Sequence, residues 1–306
     1  MAEAVIAVED IFSKLFRSIA EGFDRDIEVP ESLEKRLNST VAGLKEETSI
    51  ATQERVIKFA DAIEDFNPVH RDADYAYRTY GFERPIIPGT MIASLGEQYI
   101  REVKRAFEGT LGTALVITEM RVPIPNPIYI DQAIRWQVKS AYLEENDIGL
   151  QVTGANRKRH IIIGPINARF SRNYSGISKK EDIAFSVSED HVIDKERLSN
   201  FYDSLGEKSF ESVPWGYVSG LSTSILLKVS QQGGGKPSGL NRRMSFQFFR
   251  EPKLGSINVG LYLKKMNYIS RVMLYSYSVG SIFSQDEKII STGEINVVSD
   301  KEICLP

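Results

Sequence analysis

The sequence has few of the residues from which disulfide frameworks and metal sites are built. Cys304 is the only cysteine in 306 residues, which excludes a disulfide within the chain and a metal site made of several thiolates. The three histidines, His70, His160 and His191, lie too far apart in the sequence to suggest a metal cluster. We therefore expect neither a metal nor another cofactor, and we predict a reducing, cytoplasmic compartment.

Long runs of one character are also missing. No uninterrupted apolar stretch reaches the roughly 18 residues that span a bilayer, and the N-terminus lacks the basic start and small-residue cleavage site of a signal peptide. The net charge is −3, and the densest basic run, residues 157–160, is short and typical of a solvated strand end. These absences predict a protein with no membrane span and no nucleic-acid partner.

The sequence contains the same order of elements twice, a helix followed by several strands. Apolar residues at helical spacing fill residues 87–106 and recur at residues 214–227, and runs of β-branched and aromatic residues follow each helix. Three pairs of landmarks are separated by 127, 125 and 129 residues: Gly89 and Gly216, Pro127 and Pro252, and the tetrads 164–167 and 293–296. A nearly constant offset indicates duplication followed by divergence.

This repetition divides the chain into three predicted parts. Residues 1–44 form an N-terminal helical extension, in which apolar residues recur at helical spacing. Residues 45–180 and 185–306 form the two repeats. A central helix followed by antiparallel strands indicates an α+β fold in which a sheet wraps a buried helix, and the interface between two such units is expected to form the binding cleft.

The most informative segment places a carboxylate, a carboxamide and an imidazole around one proline. It reads Asp65-Phe66-Asn67-Pro68-Val69-His70. Pro68 fixes its own backbone and favours an extended Asn67, so the segment can form a defined loop that aims Asp65 and His70 at one point. Such a pair can accept protons and hold a water molecule, while Asn67 can order the loop or help to place that water.

A second segment, residues 85–91, precedes the first apolar helix. Gly89 has no Cβ, so a carbonyl group can approach the N–H at the helix start, where the helix dipole favours negative charge on the carbonyl oxygen. Asp and Asn before proline are also common in turns, and a lone histidine is commonly structural. The joint occurrence of Asp65, His70 and Gly89 favours chemistry that moves a proton and a water next to a carbonyl.

These two segments resemble the signature of the MaoC-like, (R)-specific enoyl-CoA hydratases. The signature extends here from Phe59 to Ala76, and the family's Gly-Phe-x-x-Pro-Ile-x-x-Gly-Met element appears from Gly81 to Gly89, with Thr90 in place of the methionine. The resemblance covers residues 45–175 closely and residues 190–300 through architecture only.

The resemblance implies a double hotdog fold and addition of water across the 2,3 bond of a trans-2-enoyl thioester, or the reverse dehydration. Asp65 and His70 would activate the water and supply the proton to C2. Asn67 would order the loop, and the Gly89 N–H would bind the thioester oxygen. The substrate would be an acyl-CoA or acyl-carrier protein thioester of fatty acid metabolism.

The second repeat lacks this motif. Positions 127 residues after Asp65 and His70 hold Val192 and Arg197, and the nearby pair at 190–191 has neither the spacing nor the Asn-Pro turn and is predicted to be a strand end. We therefore predict one active site per chain.

By its resemblance to double hotdog hydratases, the degenerate second repeat would enlarge the acyl pocket. Lys236, Arg242 and Arg243 are candidates for binding the phosphates of the thioester carrier, and exposed charges beside a glycine-rich loop are the alternative reading. Glu64 stands where the family has glycine, which leaves the backbone shape of the catalytic loop open.

Other functions remain open on the sequence alone. A hotdog thioesterase would use a carboxylate near a helix start but has no need of Asn-Pro-x-His. A dehydratase that tailors polyketide-type acyl groups and a non-catalytic acyl-binding subunit are further alternatives. Edge strands and the N-terminal helix also suggest a homodimer.

Overall fold

The structure, a computed structural model, describes residues 33–144, 147–156, 161–174, 186–207, 212–232, 239–269, 274–300 and 303. Most of the predicted N-terminal extension lies outside these residues, as does Lys236. The described end of that extension is helix α1, Leu33–Gly43.

The first repeat contains four helical elements and five strands. Strand β1 (Glu47–Ile50) leads into α2 (Gln53–Ala62), a short 3₁₀ helix (Pro68–His70), α3 (Ala73–Tyr80) and the central helix α4 (Gly89–Leu111). Four strands follow, as their sequences predict: β2 (Val116–Pro123), β3 (Ala133–Glu144), β4 (Asp147–Asn156) and β5 (Ile161–Ser171).

The second repeat has the same order without the elements between α2 and α4. Strand β6 (Val187–Ile193) leads into α5 (Lys195–Leu205) and the central helix α6 (Trp215–Gln231). The strands that follow are β7 (Leu240–Phe248), β8 (Gly255–Ile269), β9 (Leu274–Gln285) and β10 (Lys288–Ser299). The pair at 190–191 therefore lies within β6.

All ten strands form one antiparallel sheet with the order β1-β3-β4-β5-β2-β7-β10-β9-β8-β6. Read outward from the β2–β7 junction, each strand of the first repeat has its counterpart at the same place in the second. Met120 opposes Phe246 at this junction, so the two repeats are joined edge to edge. The predicted α+β fold, with two repeats of a helix and an antiparallel sheet, is confirmed.

The two central helices differ in how their side chains are distributed. In α4, the predicted apolar face of Met91, Leu95, Tyr99 and Val103 is buried, because residues four apart lie on one side of a helix. Helix α6 is buried on nearly all sides, as expected of a helix that is apolar all round. The two helices pack so closely that a Cβ on Gly216 would lie 2.1 Å from the Ser94 hydroxyl oxygen.

The structure corrects the register of the sequence repeat. Pro88 and Pro214 are the N-cap residues of α4 and α6, so the counterpart of Gly89 is Trp215 rather than Gly216. A uniform projection by 127 residues also fails for the loop that contains Asp65 and His70. The connection before α4 spans residues 63–88, whereas the one before α6 spans only residues 206–214, so the second repeat has a shorter connection in place of the loop.

No helix among the described residues is long and apolar enough to cross a membrane.

Candidate active site

The loop between α2 and the 3₁₀ helix is fixed by Asn67. Its side-chain oxygen accepts a hydrogen bond from the Val69 N–H at 3.2 Å and so caps the 3₁₀ helix, which begins at Pro68. Proline is favoured at a first helical position because the missing N–H would have no partner there. The Asn67 amide also donates to the Gly239 carbonyl of the second repeat at 2.8 Å. Asn67 therefore binds both the loop itself and the second repeat.

Asp65 and His70 come together at the two ends of this loop. Their side chains are 4% and 5% exposed, and His70 Nε2 lies 3.5 Å from Asp65 Oδ2. The other Asp65 oxygen accepts from the Asn67 N–H at 3.2 Å. His70 Nδ1 lies 2.8 Å from the Ile86 carbonyl oxygen. Because a carbonyl only accepts, Nδ1 donates in this contact, and the other ring nitrogen, Nε2, faces Asp65.

The start of α4 is open on the side of this pair. Pro88 provides no side-chain cap, and the first N–H groups of a helix have no partner within the helix. A Cβ on Gly89 would lie 2.9 Å from Ile124 Cδ1 and 3.0 Å from Asn241 Cβ, which is too close for any larger residue without movement. A larger residue here would have to displace Ile124 of the first repeat and Asn241 of the second.

Residues of both repeats line a cleft that contains these groups. The first repeat contributes Asp65, His70 and Gly89 with apolar neighbours, and the second contributes residues of α6 and β7. The lining residues from the second repeat are Thr223, Leu227, Gly239, Leu240, Asn241 and Arg242. The predicted cleft between the repeats is therefore present, with the acid, the imidazole and the helix start on one wall.

Among the predicted phosphate-binding residues, the structure brings only Arg242 to this cleft. Arg243 follows it on β7, where it pairs with Pro123 and Asn296, and is not among the lining residues. Lys236 lies outside the described residues.

The chain is 32% identical over 106 residues to an (R)-specific enoyl-CoA hydratase from Aeromonas caviae; the matched part covers 35% of this chain and 65% of that protein. It thus spans slightly less than two thirds of the relative's length. This match confirms the resemblance to MaoC-like hydratases that the motifs predicted. No protein-family model matches the chain.

Solved structures show the fold. A MaoC-like dehydratase superposes with a TM-score of 0.57 at 13% identity, over 85% of this chain and 99% of its own. A conserved hypothetical protein from Mycobacterium tuberculosis, described as a double hotdog, superposes with a TM-score of 0.56 at 7% identity, over 83% and 94%. The chain is a double hotdog. A 12:0-ACP thioesterase from Umbellularia californica also superposes, with a TM-score of 0.52 at 7% identity, over 84% and 96%.

The second helix start of the double hotdog is closed by a side chain that the sequence did not single out. Glu97 on α4 is buried, and its carboxylate accepts from the N–H groups of Trp215 and Gly216, the first two residues of α6, at 3.1 and 2.6 Å. Arg101 pairs with the same carboxylate at 2.8 Å. A carboxylate is favoured at a helix N-terminus. Glu97 therefore fills the space before α6, whereas the corresponding space before α4, at Gly89, belongs to the cleft.

At the open helix start of the double hotdog, Thr223 holds the position that corresponds to Glu97. The Thr223 hydroxyl accepts from the Asn241 side chain at 3.2 Å, and both residues line the cleft beside Gly89. Neither was predicted, because both come from the repeat without the motif. An alignment of the repeats on Pro88 and Pro214 would have paired Glu97 with Thr223 and shown the exchange of a carboxylate for a hydroxyl.

Proposed function

We propose that this protein is a hydratase or dehydratase that adds or removes water across the 2,3 bond of a trans-2-enoyl thioester. The observation that carries the proposal is the meeting of Asp65, His70 and Gly89 in one cleft. We assign residues 45–180 to a catalytic repeat and residues 185–306 to a degenerate repeat that completes the cleft. The enzyme would be a lyase of the enoyl-CoA hydratase type, as its similarity to the Aeromonas caviae protein suggests.

The Asp65–His70 pair is suited to hold and activate a water. At 3.5 Å, Asp65 Oδ2 and the lone pair of a neutral His70 Nε2 are two acceptors that face one another. A water beside them can donate one hydrogen to each and direct its own lone pair at C3 of the enoyl group. The water's proton passes to the pair, and the pair returns a proton to C2. We assign these transfers to the pair as a unit, because the protonation states of such close groups are coupled.

The start of α4 is suited to stabilise the enolate oxygen that forms during the addition. The Gly89 N–H and the helix dipole would bind this oxygen, and a single donor of this kind is worth about 10²- to 10³-fold in rate. The molecule contains an internal precedent, since the equivalent start of α6 holds the anionic Glu97 oxygens at hydrogen-bonding distance.

The carrier of the acyl group would lie toward Arg242 at the cleft, where a guanidinium can bind a phosphate. Coenzyme A and the phosphopantetheine of an acyl-carrier protein both present such phosphates. The acyl chain would lie among the apolar residues Ile87, Ile92 and Leu227.

The experiment is to follow loss of enoyl absorbance after adding the protein to trans-2-enoyl-CoA esters of increasing length. We expect turnover that falls at least about 100-fold in Asp65→Asn and in His70→Ala, the scale of a lost acid–base group. Asp147→Asn is the matched control, because Asp147 lies on β4, pairs with Arg169 at 3.7 Å and does not line the cleft. This variant should retain wild-type turnover.

Other results would replace the proposal. Release of free CoA without formation of a 3-hydroxyacyl product would indicate a thioesterase instead. The fold is compatible with that function, because a thioesterase has the same fold. Binding of the esters without any turnover, on CoA or on a carrier protein, would indicate a non-catalytic acyl-binding subunit. Equal activity of Asp65→Asn and wild type would remove the pair from the mechanism.

A further inference from the structure

Glu64, the residue before Asp65, adopts a conformation that is uncommon for its type. Its φ angle is +58°, in the left-handed region that side chains with a Cβ generally avoid. Glycine tolerates this region, which explains why a glycine suits the position in the signature that this loop resembles. Glu64 thus holds a backbone conformation that glycine adopts readily, and it adds a carboxylate at the turn.

That carboxylate binds two cations of the second repeat. One Glu64 oxygen lies 2.8 Å from Arg197 Nη1 of α5, and the other lies 3.0 Å from Lys228 Nζ in the last turn of α6. We call these three side chains the carboxylate clamp. Lys228 is held in turn by Glu189 of β6 at 2.9 Å.

The clamp keeps Glu64 ionised. Burial alone would raise the pKa of this carboxyl, but hydrogen bonds from Lys228 and Arg197 outweigh it and lower the pKa below its ordinary value. The side chain is only 20% exposed, so both contacts are partly shielded from water. The Glu64 carboxylate thus connects the loop to the second repeat through two ion pairs.

The clamp and Asn67 hold the loop on the two sides of Asp65. Asp65 follows Glu64 directly, and its N–H donates to the Ala60 carbonyl at 2.7 Å. Two residues later, the Asn67 amide is bound to the Gly239 carbonyl of the second repeat. The direction of the Asp65 carboxylate toward His70 therefore depends on both anchors, and both end in the repeat that has no motif.

We propose that Glu64 is a positioning residue, and that the second repeat aligns Asp65 with His70 through the carboxylate clamp. The inference rests on the proposed function for its kinetic test. It gives the degenerate repeat a part in the chemical step, in addition to forming a wall of the cleft. Loss of the clamp should let Asp65 move without removing any group that touches the substrate.

The kinetic test compares Glu64→Ala, Glu64→Gln and Glu64→Gly with wild type and with Asp65→Asn. We expect Glu64→Ala to lower kcat about 10- to 100-fold, the scale of a displaced catalytic group, with KM changed less than about twofold. Glu64→Gln, which keeps one acceptor oxygen at the same distance, should recover part of the loss. Glu64→Gly relieves the backbone but has no carboxylate, and should remain slow.

The partners give an independent check through additivity. Arg197→Met with Lys228→Met should reproduce the loss in Glu64→Ala, and adding Glu64→Ala to that pair should cause no further loss. Glu294→Ala is the matched control, because Glu294 binds Lys264 at 2.9 Å on strands β10 and β8, away from the loop. It should leave kcat unchanged.

The outcomes separate this proposal from the proposed function. Wild-type kcat in Glu64→Ala or in Glu64→Gly, with Asp65→Asn inactive, would overturn the clamp and leave the hydratase intact. If wild type hydrates no thioester, the positioning role of the carboxylate clamp can be tested by the imidazole signals of His70 in ¹H–¹⁵N spectra. Displaced His70 signals in Glu64→Ala but not in Glu294→Ala would support the clamp, and unchanged signals would overturn it.

Discussion

The starts of the two central helices show what duplication has done to this molecule. Both helices begin after a proline N-cap that provides no side-chain hydrogen bond. The start at Gly89 opens into the cleft beside Thr223, whereas the start at Trp215 is filled by the Glu97 carboxylate. Under the proposed function, the helix start in one repeat would bind the substrate oxygen, whereas in the other repeat it binds a carboxylate of the protein itself.

This difference teaches how one repeat can lose a site without losing the fold. A buried helix start with unpaired N–H groups is costly, so a helix start that faces no cleft needs an acceptor from the protein itself. Glu97 supplies it, and Arg101 balances the buried charge. The four predictions that follow test this contrast, from the largest expected effect to the smallest.

Thr223→Glu should close the start of α4 with a carboxylate, as Glu97 closes the start of α6. A carboxylate at this position can reach the N–H groups of Gly89 and Thr90 and would compete with the thioester oxygen. We expect kcat/KM to fall at least about 100-fold, the worth of a blocked oxyanion site, measured as loss of enoyl absorbance. Thr223→Gln controls for size, and equal activity of the two variants would contradict the role of charge.

Glu97→Ala should leave the sealed start without an acceptor. The Arg101 guanidinium and the N–H groups of Trp215 and Gly216 would lose their shared partner. Removing one partner of a buried ion pair lowers the free energy of unfolding by about 3 kcal/mol, which urea denaturation would detect. Glu97→Gln should lose less, because its oxygen still accepts. If Glu97→Ala lowered the free energy of unfolding by less than about 1 kcal/mol, the Glu97 carboxylate at the start of α6 would not be important for stability.

Alanine at the glycines of the two starts should separate activity from stability. Gly89→Ala places a Cβ 3.0 Å from Asn241 Cβ in the cleft, and we expect about a tenfold loss of kcat/KM, since small displacements of a reacting group are costly. Gly216→Ala places a Cβ 3.0 Å from Ser94 Cα between the helices. Overpacking of this kind costs about 1–3 kcal/mol of unfolding free energy. The reverse pattern would contradict the assignment of roles.

The sequence was sufficient for the features that are local. The Asn-Pro turn, the glycine before the apolar helix and the repeated order of elements each follow from a few neighbouring residues. The site also depends on Thr223, Asn241 and the carboxylate clamp, which are brought to the loop by the pairing of β2 with β7 and by the packing of α4 on α6. Such contacts between distant segments leave no local pattern.

The repeat register shows a second kind of limit. Three landmarks suggested a constant offset, yet the connections before α4 and α6 differ in length. Glycine and proline recur in sequences for many reasons, so a match between two glycines is weak evidence for equivalent positions. The sequence pairs Gly216 with Gly89, but Trp215 is the residue that follows the proline N-cap, as Gly89 does. The sequence did contain one indication of the closed helix start. Glu97 lies within an apolar helix, and a buried charge requires a partner.

The smallest expected effect concerns the pH dependence that the carboxylate clamp gives to folding. Glu64 has a lowered pKa in the folded protein because of Lys228 and Arg197, which outweigh burial. The clamp therefore stabilises the fold above the ordinary carboxyl pKa of 4.5, and this contribution is lost as the pH falls through the lower folded value.

Wild type should exceed Glu64→Gln in unfolding free energy by at most about 1 kcal/mol at pH 6, because Arg197 and Lys228 are about 40% exposed and water weakens both pairs. The difference should shrink toward pH 3 in denaturation curves. Glu294→Gln should show the same dependence, since Lys264 lowers the Glu294 pKa, but without any change in kcat. A difference that stays constant from pH 6 to pH 3 would mean that Glu64 acts through its shape and not its charge. In that case the contrast between the repeats would rest on the two helix starts alone.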